Sequence, residues 1–440
     1  MSLYEDFETF CKNIQLNNLE DMLKTTKSLA RKLNVHYHHL DTHSGLHMYI
    51  VGSVGRNTAI SGNSDLDLIF DMPKEIYTKY DNYDSNGQSA LLQDVKNVLM
   101  DKYPNAIISG DGQVVVIEFK KYTIELVPAF LQTNGEFRYP DTHNGGSWKI
   151  TNPIKEQSEC SSCNSISGGI YYNFCRIVRS WKNSVGFKIG GLLIDTLVYN
   201  FFQENDNFAN YGFDDYLNIL ISLFKFIKNE DPNRKFWYAV GSNQCVFNSN
   251  DGEFVKKADI AYKTLSEINK SDLEAINNAF RKLLGHEFPK IKEETTNFLC
   301  HSSVNKKYNM VTNTEQFIED LVPVDIRFFL YIDCKVSQNG FRPFQLRSYK
   351  GQLGYNMQLN FYISKTDCLQ PYEIWWKVRN VGQQAIERKM IRGNIMKINS
   401  KYRLEHTDFA GKHYVECYLI KNGICVARDR IDVPICGKSV

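Results

Sequence analysis

No apolar stretch in the 440 residues approaches the roughly 18–20 needed to cross a bilayer. A membrane-spanning protein is therefore not expected. The opening Met1-Ser2-Leu3-Tyr4-Glu5-Asp6 is acidic and lacks a secretory pattern, so the expected location is the cytoplasm. Net charge is also scarce, at +2. The eleven cysteines are spread thinly and include one metal-like spacing, Cys160-Ser161-Ser162-Cys163. No second C-x-x-C follows, so a four-ligand zinc site is not expected; the pair reads as free thiols in a loop.

What is present is ordinary for a globular chain of two or three domains: 42% hydrophobic and 23% charged residues. Aromatic content is 13%, with 27 Phe and 25 Tyr. The small net charge hides an asymmetry. Residues 323–440 hold 19 Lys/Arg and 10 Asp/Glu, whereas the rest of the chain is acidic. A basic C-terminal module on an acidic body points to a possible activating ligand or partner there, or to a solvated basic surface.

The most informative stretch runs from Val51 to Phe70. Gly52-Ser53 follows an apolar run, and Asp65-Leu66-Asp67 leads into Leu68-Ile69-Phe70. In a strand, residues i and i+2 share a face about 6–7 Å apart. Asp65 and Asp67 then project together while Leu66 and Leu68 face a core. Two like charges side by side are costly without a cation between them, and hard oxygen donors suit Mg²⁺ with substrate phosphates. Gly52 permits close backbone approach, and Ser53 offers a hydroxyl and an N–H to phosphate oxygens. A phosphate cradle beside a carboxylate dyad is equipment for phosphoryl or nucleotidyl transfer.

The string G-S-x-x-R-x-T-x-I-x-x-x-S-D-L-D-L resembles the signature of polymerase-β-like nucleotidyltransferases. Arg56, Thr58 and Ile60 resemble the branch holding oligoadenylate synthases, cyclic GMP–AMP synthase and the bacterial CD-NTases. The resemblance implies that Gly52, Ser53 and Arg56 bind nucleotide, and that Asp65 and Asp67 hold two Mg²⁺ ions, with Mn²⁺ an alternative. It also implies a third acidic ligand before a Val-Pro-Ala run, here Glu125, where the family more often has Asp. An R-x-x-R-x-W-K segment, Arg176 to Lys182, resembles one that lends a basic residue to the triphosphate, with Lys182 the preferred contact. Trp148-Lys149-Ile150-Thr151-Asn152-Pro153 is similar to a W-x-x-T-x-P element after the family's catalytic sheet. Lys256-Lys257-Ala258 looks like a K-A motif near the end of its core.

Along the chain, residues 4–34 read as one helix, and 131–164 read as loop. The five histidines between Val35 and His47 read as structural or surface residues. Phe236-Trp237-Tyr238 is an aromatic cluster that either packs in a core or stacks on a base. From Val324 the pattern alternates, with strands over Arg327–Val336, Met357–Ser364, Tyr372–Val378, Gly393–Ile398, Tyr414–Ile420 and Cys425–Val433. This region resembles the sensor domain at the C-terminus of SMODS-type nucleotidyltransferases and adenylyl/guanylyl cyclases (AGS-C type). The matching residues are Trp376-Lys377-Val378-Arg379-Asn380-x-Gly382, Ile391-Arg392-Gly393, and Glu405-His406-Thr407 through Gly411-x-His413-Tyr414-Val415-Glu416-Cys417-Tyr418.

The expected fold is α+β: a polymerase-β-like sheet with a helical lobe, then a β-sandwich-like C-terminal domain. The expected divisions are a catalytic core at 1–164, a helical lobe at 165–290, a linker at 291–322 and a sensor domain at 323–440. The expected activity is synthesis of a cyclic di- or trinucleotide from nucleoside triphosphates, ATP among them. The expected partner is a separate effector protein in anti-phage (CBASS-type) defence. A transferase acting on RNA ends and a silent binding protein are the alternatives.

Overall fold

A computed structural model describes residues 2–40, 45–62, 65–119, 122–205, 208–248, 251–290, 315–388 and 390–436. The expected linker falls largely at 291–314, outside the described residues. The chain forms two compact units, Ser2–Trp181 with Ile189–Ile276, and Lys182–Lys188 with Asn277–Val440.

The first unit begins with α1 (Leu3–Asn13) and α2 (Leu19–Leu33) rather than one long helix. The break has a tertiary cause. Ser2 and Glu5 cap α1 reciprocally, and Gln15 leaves the helix to bridge Ile60, with Ser61 N–H bonding Ile14 C=O at 2.8 Å. A seven-stranded sheet follows, built from β1 (Met48–Ile50), β2 (Asp65–Asp71), β3 (Ile107–Asp111), β4 (Val114–Glu118), β5 (Thr123–Leu131), β6 (Phe137–Asp141) and β7 (Ser147–Thr151). The central order is β1-β2-β5-β4-β3, and β6 joins β5 to β7. The β2–β5 pair is parallel; the other pairs are antiparallel.

Between these strands lie α3 (Gly52–Gly55), α4 (Lys74–Asp81) and α5 (Gly87–Met100). Alternation along β2 and β5 sends Leu66, Leu68, Ile124 and Leu126 to one face. There they are buried with Leu29 and Leu33 of α2 and Leu91, Val95 and Leu99 of α5. The opposite face carries the acidic residues.

The stretch 131–164 is ordered rather than loop. It contains β6, β7 and α6 (Pro153–Ile166), where Asn152 caps the helix and Pro153 occupies its first turn. Alternation in β6 and β7 is weak, and α6 is polar along most of its length, so the residue pattern carried little signal. The W-x-x-T-x-P element therefore ends a strand and starts a helix. Cys160 and Cys163 lie buried in α6 as free thiols, not in a loop. Then come α7 (Ile170–Val185), α8 (Gly191–Glu204), α9 (Tyr216–Lys228), the hairpin β8 (Phe236–Tyr238) and β9 (Cys245–Phe247), α10 (Glu253–Ser266) and α11 (Leu273–Leu284).

The C-terminal unit holds two four-stranded antiparallel sheets. One orders β11 (Phe344–Gln345), β10 (Leu330–Ser337), β12 (Gln358–Thr366) and β15 (Tyr402–His406). The other orders β14 (Ile395–Lys397), β13 (Glu373–Arg379), β16 (Gly411–Lys421) and β17 (Ile424–Ile435). The short helix α12 (Gln383–Glu387) follows β13. The sheets share one core, in which Ile332, Leu359 and Phe361 meet Trp376, Cys417 and Leu419. Residues 315–322 also belong here: Ile318 is fully buried with Val324, Ile326 and Trp375. Among the described residues no helix is long and apolar enough to cross a membrane.

Candidate active site

The site is assembled by strand register. Asp67 pairs with Glu125 and Asp65 with Thr123 across the parallel β2–β5 ladder. Paired residues on adjacent strands share a face about 4.8 Å apart, and Asp65 lies two residues along β2 from Asp67. Three half-buried carboxylates, Asp65, Asp67 and Glu125, therefore stand on one face of the sheet, backed by the fully buried Leu66, Leu68 and Ile124.

Gly52 sits against this group. Its φ is +61°, and a Cβ there would overlap the Asp67 carboxylate. Both conditions select glycine. Val51 N–H donates to Asp67 C=O at 2.9 Å, which locks the turn to β2. Ser53 C=O accepts from Thr58 N–H at 2.9 Å and Ala59 N–H at 3.1 Å, folding the segment back on itself. Gly52, Ser53, Asp65, Asp67 and Glu125 are thus gathered on one face of the sheet.

The donor set is three hard carboxylate groups on rigid strands, a chemistry that fits a divalent cation such as Mg²⁺. Backbone register aligns the donors. Among the described residues no three His, Cys, Asp or Glu side chains are drawn together tightly enough to enclose an ion.

Arg56 and Lys182 each pair with carboxylates of their own unit. Arg56 is buried: its Nε donates to Asp195 Oδ2 and its Nη1 to Glu156 Oε2, both at 2.9 Å. Thr58 Oγ1 also donates to Asp195 Oδ2, at 2.9 Å. Arg179 adds Nη2 to the same oxygen at 2.8 Å and to Gly191 C=O at 2.9 Å. Asp195, on α8 and 0% exposed, thus joins the segment after Gly52-Ser53 to α7 and α8. Burial alone would raise its carboxyl, but the Arg179 and Arg56 charges outweigh it and hold it below the usual range. Glu156 meets a single guanidinium, and there burial wins and pushes the carboxyl up. Arg176 Nη2 reaches Asn57 C=O at 2.8 Å. The Arg56 and Thr58 of the motif are accordingly anchors of the glycine turn.

Lys182 pairs elsewhere. Its buried ammonium lies 3.2 Å from Asp325 Oδ1, and Arg327 Nε donates to the other oxygen at 2.7 Å. Lys182, expected at the triphosphate, here forms an ion pair with Asp325 within the C-terminal unit. Asp195, Glu156 and Asp325 gave no local signal, since an acidic residue in a helix or turn is usually a surface residue.

The aromatic cluster divides. Trp237 is fully buried and donates Nε1–H to Glu230 Oε2 at 2.8 Å. Tyr238 is 60% exposed and lines an open recess of about 440 Å³ with Lys155, Arg234 and Asn243. Of the histidines, His38 donates Nε2–H to Asp71 C=O at 2.8 Å and stacks on His47 at 3.8 Å, a structural arrangement. His43 lies outside the described residues.

The fold of the first unit is polymerase-β-like. Residues 1–164 match the Second Messenger Oligonucleotide or Dinucleotide Synthetase (SMODS) domain, and residues 312–436 match the Adenylyl/Guanylyl and SMODS C-terminal sensor domain. The two matches give a SMODS-type synthetase domain followed by its C-terminal sensor domain. A probable cyclic nucleotide synthase of Bacillus cereus (strain VD146) is 22% identical over 209 residues, which is 43% of this chain and 60% of that protein. The fold is shared with Escherichia coli MS115-1 CdnC. CdnC in its complex with HORMA-deltaN gives a TM-score of 0.51 at 13% identity, over 65% of this chain and 98% of that one. CdnC with ATP gives 0.50 at 14%, over 65% and 99%.

Proposed function

We propose that this chain is a divalent-metal-dependent nucleotidyltransferase that joins nucleoside triphosphates, ATP among them, into a cyclic di- or trinucleotide. The observation that carries this reading is the β2–β5 register, which sets Asp65, Asp67 and Glu125 on one face beside Gly52. These three carboxylates would hold Mg²⁺, or Mn²⁺ in its place. The bound metal supplies charge neutralisation for a triphosphate and acidifies a ribose hydroxyl. Gly52 leaves room for Asp67 and keeps backbone close to the phosphates, while Ser53 offers its hydroxyl to them. Glu125, on the strand beside Asp67, is placed to take the hydroxyl proton. The hydroxyl oxygen bonds to the α-phosphorus of a second nucleotide and pyrophosphate leaves; repetition within one product closes the ring. Tyr238, with Lys155 and Arg234 nearby, offers an exposed ring on which a base stacks.

The named relative supports a cyclic nucleotide product, and CdnC's ATP supports a triphosphate substrate. The product would act on a separate effector protein in anti-phage defence, in the cytoplasm. CdnC's HORMA complex makes a protein regulator a reasonable second partner.

The test is incubation with four labelled ribonucleotides and Mg²⁺ or Mn²⁺, then phosphatase and chromatography. A small resistant product that disappears in the Asp65→Asn, Asp67→Asn double variant is expected. Product surviving that change overturns the metal assignment, and extension of an added RNA instead overturns the cyclic product.

A further inference from the structure

Three consecutive residues at the start of α6 touch two loops that lie far apart in sequence. Gln157 Nε2 donates to Ile50 C=O at 2.8 Å, at the entrance to the glycine turn. Gly55 of that turn lies so close that a Cβ there would overlap the Gln157 side chain. On the other side, Gly241 in the tip of the β8–β9 hairpin has a φ of +72°, and a Cβ there would overlap Lys155 C=O. The start of α6 is thus packed against the glycine turn and against the hairpin tip.

Glu156, between Lys155 and Gln157, reaches both loops. It is 3% exposed. Its Oε2 accepts from Arg56 Nη1 at 2.9 Å, and its Oε1 accepts from the Ser242 hydroxyl in the hairpin tip at 3.0 Å. Arg56 N–H in turn donates to Gly52 C=O at 3.0 Å. A chain of bonds therefore runs from Ser242 through Glu156 and Arg56 to Gly52, linking the hairpin that carries Tyr238 to the turn beside Asp67. The hairpin has two further ties. Val240 N–H donates to Thr196 Oγ1 at 3.2 Å, and Gln244 Nε2 donates to Ile150 C=O at 2.7 Å. The W-x-x-T-x-P element sets the register, because its Asn152 caps α6 and so fixes where Glu156 falls. Burying a carboxylate is costly, and here both oxygens serve the loops rather than the helix that bears them.

We propose that Glu156 is a positioning residue for nucleotidyl transfer. It holds the Tyr238 hairpin and the glycine turn at one fixed separation, so that a nucleotide stacked on the hairpin presents its triphosphate at the turn. Buried, it acts through Arg56 and Ser242 and not by touching the reacting atoms. The inference rests on the synthase reading above.

The test uses the full chain with Ser242→Ala, which removes one hydrogen bond to Glu156, and Ser242→Thr, which keeps a hydroxyl there. Hydrogen exchange without nucleotide reads the amides of 55–59, which bond to the carbonyls of 51–54 within the turn. Ser242→Ala is expected to speed their exchange about threefold or more, and Ser242→Thr to restore wild-type rates. In the labelled-nucleotide assay Ser242→Ala should lower kcat about tenfold with KM changed less than about threefold, because both loops still bind but no longer align. Glu156→Gln in folded protein should show the same two changes; where it does not fold, the serine pair decides. A carboxylate that only stabilises the fold would shift the urea midpoint and leave kcat and KM alone. Unchanged exchange at 55–59 in Ser242→Ala overturns the proposal, as does a wild-type kcat in that variant or a failure of Ser242→Thr to restore it. A wild type that makes no cyclic product overturns the synthase reading instead, and exchange alone then decides whether Glu156 couples the two loops.

Discussion

At the scale of single residues, Gly52 carries the sharpest expectation. Its left-handed backbone and the Asp67 carboxylate beside it both exclude a side chain. Gly52→Ala should therefore cost about 1 kcal/mol of stability from backbone strain. It should also displace Asp67, so product formation falls far more than the small change in urea midpoint would explain. A variant with wild-type turnover in the labelled-nucleotide assay would refute the close approach.

Asp195 is the second residue-scale case. Asp195→Asn removes the counter-charge of two buried guanidiniums, and loss of one partner from such a group costs about 3–5 kcal/mol. Urea denaturation should show the loss. Because the folded-state carboxyl lies below its unfolded value near 3.8, its contribution is complete above about pH 4 and declines as the pH falls. The stability gap between wild type and Asp195→Asn should thus narrow on acidification from pH 7 to pH 3.

At the scale of elements, β5 does most to define the site. One face of it supplies Glu125 and the other supplies Ile124 and Leu126, both fully buried against α2 and α5. Leu126→Ala should destabilise by about 2–5 kcal/mol through the cavity it leaves. Glu125→Gln keeps the strand and should leave the urea midpoint nearly unchanged while product formation is lost. The contrast between two neighbouring substitutions, one read by denaturation and one by chromatography, separates scaffold from chemistry on a single strand.

For the molecule as a whole, the C-terminal unit should add its own response to acid to that of Asp195 in the other unit. The C-terminal unit carries a buried carboxyl, Glu416, and a half-buried one, Asp325, both held down to about 2. Burial alone would raise both. Lys377 and Arg428 reverse this at Glu416, as Lys182 and Arg327 do at Asp325. Their folded values lie below ordinary ones near 4.5 and 3.8, so the stability they supply is complete above about pH 4.5 and vanishes as the pH falls toward about 2. The C-terminal unit should lose stability over that window, followed by the fluorescence of buried Trp376. In Glu416→Gln the share of that pH dependence that Glu416 supplies should be gone and the share of Asp325 should remain; an unchanged acid profile would refute the assignment.

The sequence by itself determined the features that depend on neighbours in the chain. Alternation along Asp65–Asp71 and the strands after Val324 was legible because a two-residue period sorts side chains to opposite faces wherever one face is buried. The glycine turn was legible because Gly52-Ser53 sits between an apolar run and the Asp65-Leu66-Asp67 strand, a combination more specific than either part. Partners chosen across long distances were decided only by the tertiary structure. Nothing near Arg56 or Lys182 indicates that one will meet Asp195 and the other Asp325, because an arginine or lysine at a phosphate and one in a buried ion pair share the same local pattern. Likewise the break between α1 and α2 follows from Gln15 meeting Ile60, and the helix at Cys160–Cys163 from a cap at Asn152. Local periodicity reports which face a residue occupies; only the packed chain selects what stands opposite it.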